Sequence, residues 1–144
     1  MVGRFAKEGV EAARLVLRPG APNFEYLRNY GDMDVALDAA PYNGGTTTTE
    51  AMWQGVPVLT FNGDRWASRT SRTLLARTHL AEFVAADWDD YVARAVALAT
   101  DPATPARLTR LRQTAREQLT AAPVCNVSGL AAEMEHLYLH HILQ

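Results

Sequence analysis

Cysteine, lysine and long apolar runs are what this sequence has least of, and each scarcity removes a class of protein. Cys125 is the only cysteine, so an internal disulfide is impossible and a thiolate metal cluster has no ligands. Free cysteines are commonly buried, and an inert buried thiol is the expectation for Cys125. Lys7 is the only lysine, and no function follows from the arginine bias. The 14 basic and 16 acidic residues leave a formal charge of −2, too weak a field to gather phosphate polymers or anionic lipid. Nucleic acid is not an expected partner. No apolar run reaches the roughly 18 residues of a membrane span. The start, Met1 to Glu8, is charged from Arg4 onward and lacks the apolar core of a secretory signal. The expectation is a cytoplasmic protein that does not engage the membrane.

What is present suits one soluble domain. The 144 residues are 48% hydrophobic and 21% charged, near the averages for globular proteins. Short apolar runs alternate with helical patterns, the rhythm of a parallel sheet with crossover helices. The predicted strands are Arg14 to Arg18, Val35 to Ala40, Pro57 to Phe61 and, more weakly marked, Glu82 to Ala86. Helices are predicted over Phe24 to Gly31, Thr46 to Gln54 and Ala67 to His79. After about residue 88 the pattern is wholly helical. Asp89 or Asp90 can cap a helix through Ala99. Leu108, Leu111, Ala115 and Leu119 form the stripe of a second packing helix, and Val127, Leu130, Met134 and Leu137 that of a third.

The chemistry concentrates between Asp34 and Pro57, where a strand leads through Pro41-Tyr42-Asn43-Gly44-Gly45 into Thr46-Thr47-Thr48-Thr49-Glu50 and then a second strand. Two glycines permit positive φ and close approach of a ligand, while a helix start offers unpaired N–H groups and the positive end of a dipole. Such a turn binds anions, and the threonine hydroxyls add donors, so a diphosphate can be held without a metal ion. Glu50 follows Thr46 by one helical turn and shares its face. A carboxylate there can accept from ribose hydroxyls, as acidic residues do in dinucleotide sites. A Gly-Gly turn before a Thr-capped helix also serves as plain structure, with Glu50 solvated, and the spacing alone does not separate the two.

These residues resemble the donor-binding segment of the O-linked N-acetylglucosamine transferase and Spindly-like glycosyltransferases. The likeness lies in the Asp-Val-x-Leu-Asp strand at Asp34 to Asp38, Pro-Tyr-Asn-Gly-Gly-Thr-Thr-Thr, and Met52-Trp53-Gln54-Gly55-Val56-Pro57. It continues through Gly63-Asp64-Arg65, Ala67-Ser68-Arg69, Asp89-Asp90-Tyr91 and Pro123-Val124-Cys125-Asn126, covering nearly the whole chain. The resemblance implies a Rossmann-like α/β domain, the C-terminal donor half of a GT-B fold, with the sheet followed by packing helices. It implies that Asn43, Gly44, Gly45, Thr46, Thr47 and Thr48 hold the diphosphate of a UDP-sugar, UDP-N-acetylglucosamine above all. Glu50 would take the ribose, the Ala21 backbone would pair with uracil, and Tyr26 would stack on it. No cofactor or metal is implied.

Relatives that modify proteins commonly carry His where Gly45 stands, which leaves the sugar open. The resemblance also implies segments this chain does not contain: an acceptor-side domain with the catalytic His, earlier strands of the donor domain, and a Lys that neutralises the leaving phosphates. The chain is thus expected to be an N-terminally incomplete nucleotide-sugar domain over residues 1–144, without catalytic residues of its own. A Ser/Thr protein acceptor would be met through the missing domain, and exposed sheet edges would invite self-association. Two other readings stay open, a module that binds UDP-sugar without turnover and half of a UDP-sugar epimerase. His136 and His140, with His141 adjacent, have metal-binding spacing but no evident third ligand. Arg107, Arg110, Arg112 and Arg116 read as a solvated helical face.

Overall fold

Pro57 to Phe61 is a largely apolar run, and it becomes the middle of the sheet, as strands buried on both faces require. The computed structural model describes residues 2–142. In chain order its elements are α1 (Val2–Lys7), α2 (Asn23–Arg28), β1 (Ala36–Leu37), α3 (Thr46–Trp53), β2 (Val58–Phe61), α4 (Thr70–Leu75), β3 (Val84–Ala85), α5 (Trp88–Thr100), α6 (Thr104–Ala121) and α7 (Val127–Leu137). The described sheet has the order β1-β2-β3. Both pairings are parallel, Ala36 opposite Val58 and Thr60 opposite Val84. Parallel neighbours need crossovers, which α3 and α4 supply.

Three apolar groups flank this sheet. Met52, Leu75, Leu80, Phe83, Leu108 and Leu119 form the largest. Tyr30, Ala51, Val56 and Val58 form a second beneath α2, and Leu59, Ala85 and Tyr91 a third beside α5. Gly55 lets α3 end against α6. Its φ is 75°, and an added Cβ would lie 2.8 Å from the Arg112 Cα.

Several expectations need correction. Arg14 to Arg18 is not a strand: Ala12–Arg14 is a 3-10 turn, and Val16 and Leu17 are exposed. A short apolar run becomes a strand only with a neighbour to pair with, and the described sheet offers none there. Arg18 instead bonds Asn29 and Asp32. The remaining strands are shorter than expected, although the β1 ladder extends to Asp38, whose N–H donates to the Leu59 carbonyl at 3.0 Å. The helix expected from Ala67 opens as a separate 3-10 turn, Trp66–Ser68, because the Ser68 hydroxyl folds back onto the Arg65 carbonyl at 3.0 Å. The helix expected over Phe24 to Gly31 ends in a 3-10 turn, Asn29–Asp32.

The C-terminal half also differs in detail. Asp87 caps α5, accepting from the Asp90 N–H at 2.9 Å. Asp90 instead bonds Arg94, whose guanidinium holds the Asp90 carboxyl below its usual range. α6 packs as expected, with Leu108, Ala115 and Leu119 buried. α7 forms as a helix but buries no residue, and Cys125 before it is exposed. The α6 arginines are not simply solvated. Arg116 donates to the Trp53 carbonyl at 3.1 Å, Arg112 to the Gly31 carbonyl at 3.2 Å, and Arg107 pairs with Glu82 at 2.6 Å. The first of these satisfies a carbonyl at the end of α3, where cations are favoured. Among the described residues no helix is long and apolar enough to cross a membrane.

Candidate functional site

The carboxyl end of β1 delivers Asp38 to the point where the chain leaves the sheet, and this side chain organises the turn. One oxygen accepts from the N–H groups of Ala39 at 3.0 Å and Gly44 at 2.9 Å. The other accepts from the Thr60 hydroxyl at 2.8 Å. A charged acceptor makes such bonds stronger than neutral ones. From below, Asn43 is buried, donating its backbone N–H to Ala67 at 2.8 Å and its amide to the Ala39 carbonyl at 2.9 Å. Its Oδ1 has no partner among the described residues. Ser71, in α4, donates to the Gly44 carbonyl at 3.0 Å and contacts the Thr48 hydroxyl at 2.8 Å.

The two glycines are constrained differently, and neither adopts the positive φ that the sequence allowed for, which among the glycines only Gly9 and Gly55 show. A Cβ on Gly44 would lie 2.6 Å from the Thr48 hydroxyl and 2.7 Å from that of Thr47. Close approach excludes a side chain there. At Gly45 the nearest atom would be the Thr70 methyl at 3.7 Å, so that position has room. Gly45 is the N-cap of α3, with φ −127° and no side-chain cap. The first helical bond is Thr49 N–H to the Gly45 carbonyl at 3.0 Å, and the amides of Thr46, Thr47 and Thr48 have no partner among the described residues.

Thr46 and Thr47 line a cleft of about 670 Å³, together with Asp38, Tyr42, Asn43 to Gly45, Trp66 and Thr70, among others. Of the sequence-derived candidates, the structure brings Asn43, Gly44, Gly45, Thr46 and Thr47 into this lining. Thr48 is buried, with its hydroxyl committed to Ser71. Thr49 turns its hydroxyl back to the Gly45 carbonyl at 3.1 Å. Of these four threonines, Thr46 and Thr47 alone keep hydroxyls with no hydrogen-bond partner among the described residues.

Ala21, Tyr26 and Glu50 lie outside the lining. Tyr26 is half-buried and packs edge-on against Tyr30, ring centroids 5.7 Å apart. Their hydroxyls are 3.1 Å apart, and Tyr30 donates to the Thr47 carbonyl at 3.2 Å. Two hydrogen bonds therefore connect Tyr26 to the first turn of α3. Burial, then the Tyr26 hydrogen bond and lesser charge effects that include Glu50, pushes the Tyr30 phenol far above its ordinary range. Glu50 is half-buried on the same side. Ala21 is half-buried ahead of α2 and is not brought to the cleft.

The sequence reading missed Asp38 as the organiser, Ser71 as the brace and Trp66 as a wall. Asp38 stood in the quoted motif, but its bonds to Gly44 and Thr60 arise only once the strands pair. His136 and His140 stack at 4.1 Å, with Nδ1 of His140 3.0 Å from the His136 carbonyl. No cluster of three metal-ligating side chains occurs among the described residues, and the His141 side chain lies outside them.

The chain is an α/β protein with a glycine turn at the carboxyl end of a parallel strand, a place where helix amides commonly receive anions in proteins of this class. Comparisons make this specific. The family profile "Glycosyl transferase family 41" matches residues 1–134. The probable UDP-N-acetylglucosamine–peptide N-acetylglucosaminyltransferase SPINDLY of Arabidopsis thaliana is 36% identical over 131 residues, 90% of this chain and 14% of that protein. The Caenorhabditis elegans UDP-N-acetylglucosamine–peptide N-acetylglucosaminyltransferase is 30% identical over 91% of this chain and 11% of its own. A solved mutant of the Thermobaculum terrenum O-GlcNAc transferase superposes with a TM-score of 0.81 at 34% identity, covering 95% of this chain and 26% of that one. The chain belongs to glycosyl transferase family 41, and it spans about a seventh of the length of the SPINDLY proteins it matches.

Proposed function

We propose that this chain is the donor-binding part of an inverting glycosyltransferase and that the first turn of α3 holds the diphosphate of a UDP-sugar, with UDP-N-acetylglucosamine the favoured donor. The observation that carries the reading is the set of unpartnered Thr46, Thr47 and Thr48 amides beside the free Thr46 and Thr47 hydroxyls. Names of the relatives supply the donor and a peptide acceptor. In transfer, an acceptor hydroxyl attacks the anomeric carbon, the carbon–oxygen bond to the β-phosphate breaks, and negative charge grows on the leaving diphosphate. Preorganised donors at that point stabilise the charge, each by about 3 kcal/mol. Glu50 takes the ribose and Tyr26 faces the base. The acceptor and the groups that activate it belong to other segments.

A second reading, binding without turnover, draws support from the cleft itself. Among the described residues no Lys or Arg is in its lining, and a cation is the ordinary neutraliser of a departing diphosphate. Both readings require the same first step. Calorimetry with UDP, uridine and phosphate is expected to show the diphosphate contributing most of the affinity, and Thr46→Val with Thr47→Val to weaken UDP. Unchanged UDP affinity in that double variant would place the phosphates elsewhere.

A further inference from the structure

Trp66 is the largest side chain in the cleft wall and is 79% exposed. Its backbone is nonetheless tightly held. The Arg65 N–H donates to the Ser68 hydroxyl at 3.2 Å, and the Gly63 N–H to the Ser68 carbonyl at 3.2 Å. Asn43, at the base of the glycine turn, is tied to Ala67 at 2.8 Å. A Cβ on Gly63 would fall 2.0 Å from the Ser68 hydroxyl, so the loop closes this tightly only with glycine there. The loop thus holds the Trp66 backbone beside the glycine turn and presents a wide apolar ring to solvent. Tyr42, 69% exposed, adds a second ring to the same cleft.

Direction along the cleft says what the ring meets. The Tyr26–Tyr30 pair reaches the α3 turn through the Thr47 carbonyl. Thr70 and Ser71 of α4 meet the turn at Gly45 and Gly44, and Trp66, in the 3-10 turn that leads into α4, lines the same cleft. A nucleotide sugar is a linear ligand with its diphosphate in the middle. With the phosphates on Thr46 and Thr47 and the nucleoside toward Tyr26, the sugar extends toward α4. Resting on that reading of the site, we propose that Trp66 is a positioning residue for the transferred sugar, its ring packing against the apolar C–H face of the hexose. An aromatic face suits this contact because a pyranose presents axial C–H bonds on one side, while its hydroxyls point outward to polar partners.

The test is the sugar's own contribution to binding, taken as the ratio of UDP-N-acetylglucosamine to UDP affinity on each variant of the full chain. Trp66→Ala is expected to lower that ratio about tenfold, within the range of aromatic stacking, by weakening UDP-N-acetylglucosamine and leaving UDP unchanged. Trp66→Phe is expected to keep most of it. The emission change that UDP-N-acetylglucosamine produces beyond UDP should disappear in Trp66→Phe. Because both ligands are measured on one variant, a change in fold stability cancels from the ratio. An unchanged ratio in Trp66→Ala with UDP still bound overturns the proposal and leaves the nucleotide site standing. Failure of the parent chain to bind UDP overturns the site reading and this proposal together.

Discussion

Adjacent glycines in the turn carry opposite constraints, and the difference is measurable. At Gly44 an added methyl meets two threonine hydroxyls inside 3 Å, overpacking that costs on the order of 1–3 kcal/mol. At Gly45 it meets only Thr70 at ordinary contact distance. Gly44→Ala should thus lower stability in urea unfolding and reduce UDP binding, whereas Gly45→Ala should stay within about 0.5 kcal/mol of the parent. Equal effects would refute the packing account of the turn. His79 makes a different test. Neither ring nitrogen has a partner among the described residues, and burial pushes its pKa below the ordinary 6.5, with the Glu82 charge opposing. As pH falls below about 6.5 the unfolded chain takes up a proton that the folded chain refuses, so stability falls from there down toward the folded pKa. Above that pH this group adds no slope. Urea midpoints measured from about pH 7.5 to 5 should show the decline, and His79→Gln should flatten it.

Among the elements, β2 and α3 were the most legible in sequence. Pro57 to Phe61 is apolar but for Thr60 and bounded by Gly55 and Asn62-Gly63, the pattern of a strand buried on both faces. Arg14 to Arg18 carries the same residue types but has no neighbour in the described sheet, and a strand is a property of a pair. α7 shows the same limit for helices. Its stripe at Val127, Leu130, Met134 and Leu137 has the right period, yet period says only that a face is apolar and not what covers it. Leu59, fully buried in β2, and Leu130, 64% exposed in α7, should respond accordingly. Leu59→Ala should cost about 2–5 kcal/mol in chemical denaturation, and Leu130→Ala within about 0.5 kcal/mol. A large loss at Leu130 would mean that α7 packs in solution in a way this fold does not show.

At the scale of the whole molecule, the arrangement places every described feature of the site at one end of the sheet. β1 brings Asp38, α3 the threonines, and the loop after β2 brings Trp66. The glycine turn was readable because its residue types are rare in that order, and the resemblance followed from it. The internal wiring from Asp38 to Gly44 and Thr60, and from Ser71 to Gly44, was not readable, since it joins residues as far apart as 27 positions. The central claim is that a UDP diphosphate rests on the first turn of α3. Amide nuclear magnetic resonance on the ¹⁵N-labelled chain tests it most directly, comparing UDP with uridine. The account predicts that UDP moves the N–H signals of Thr46, Thr47 and Thr48 most, and that uridine at equal occupancy leaves them nearly in place. Saturating UDP that shifts signals elsewhere and leaves those three amides unmoved would contradict it.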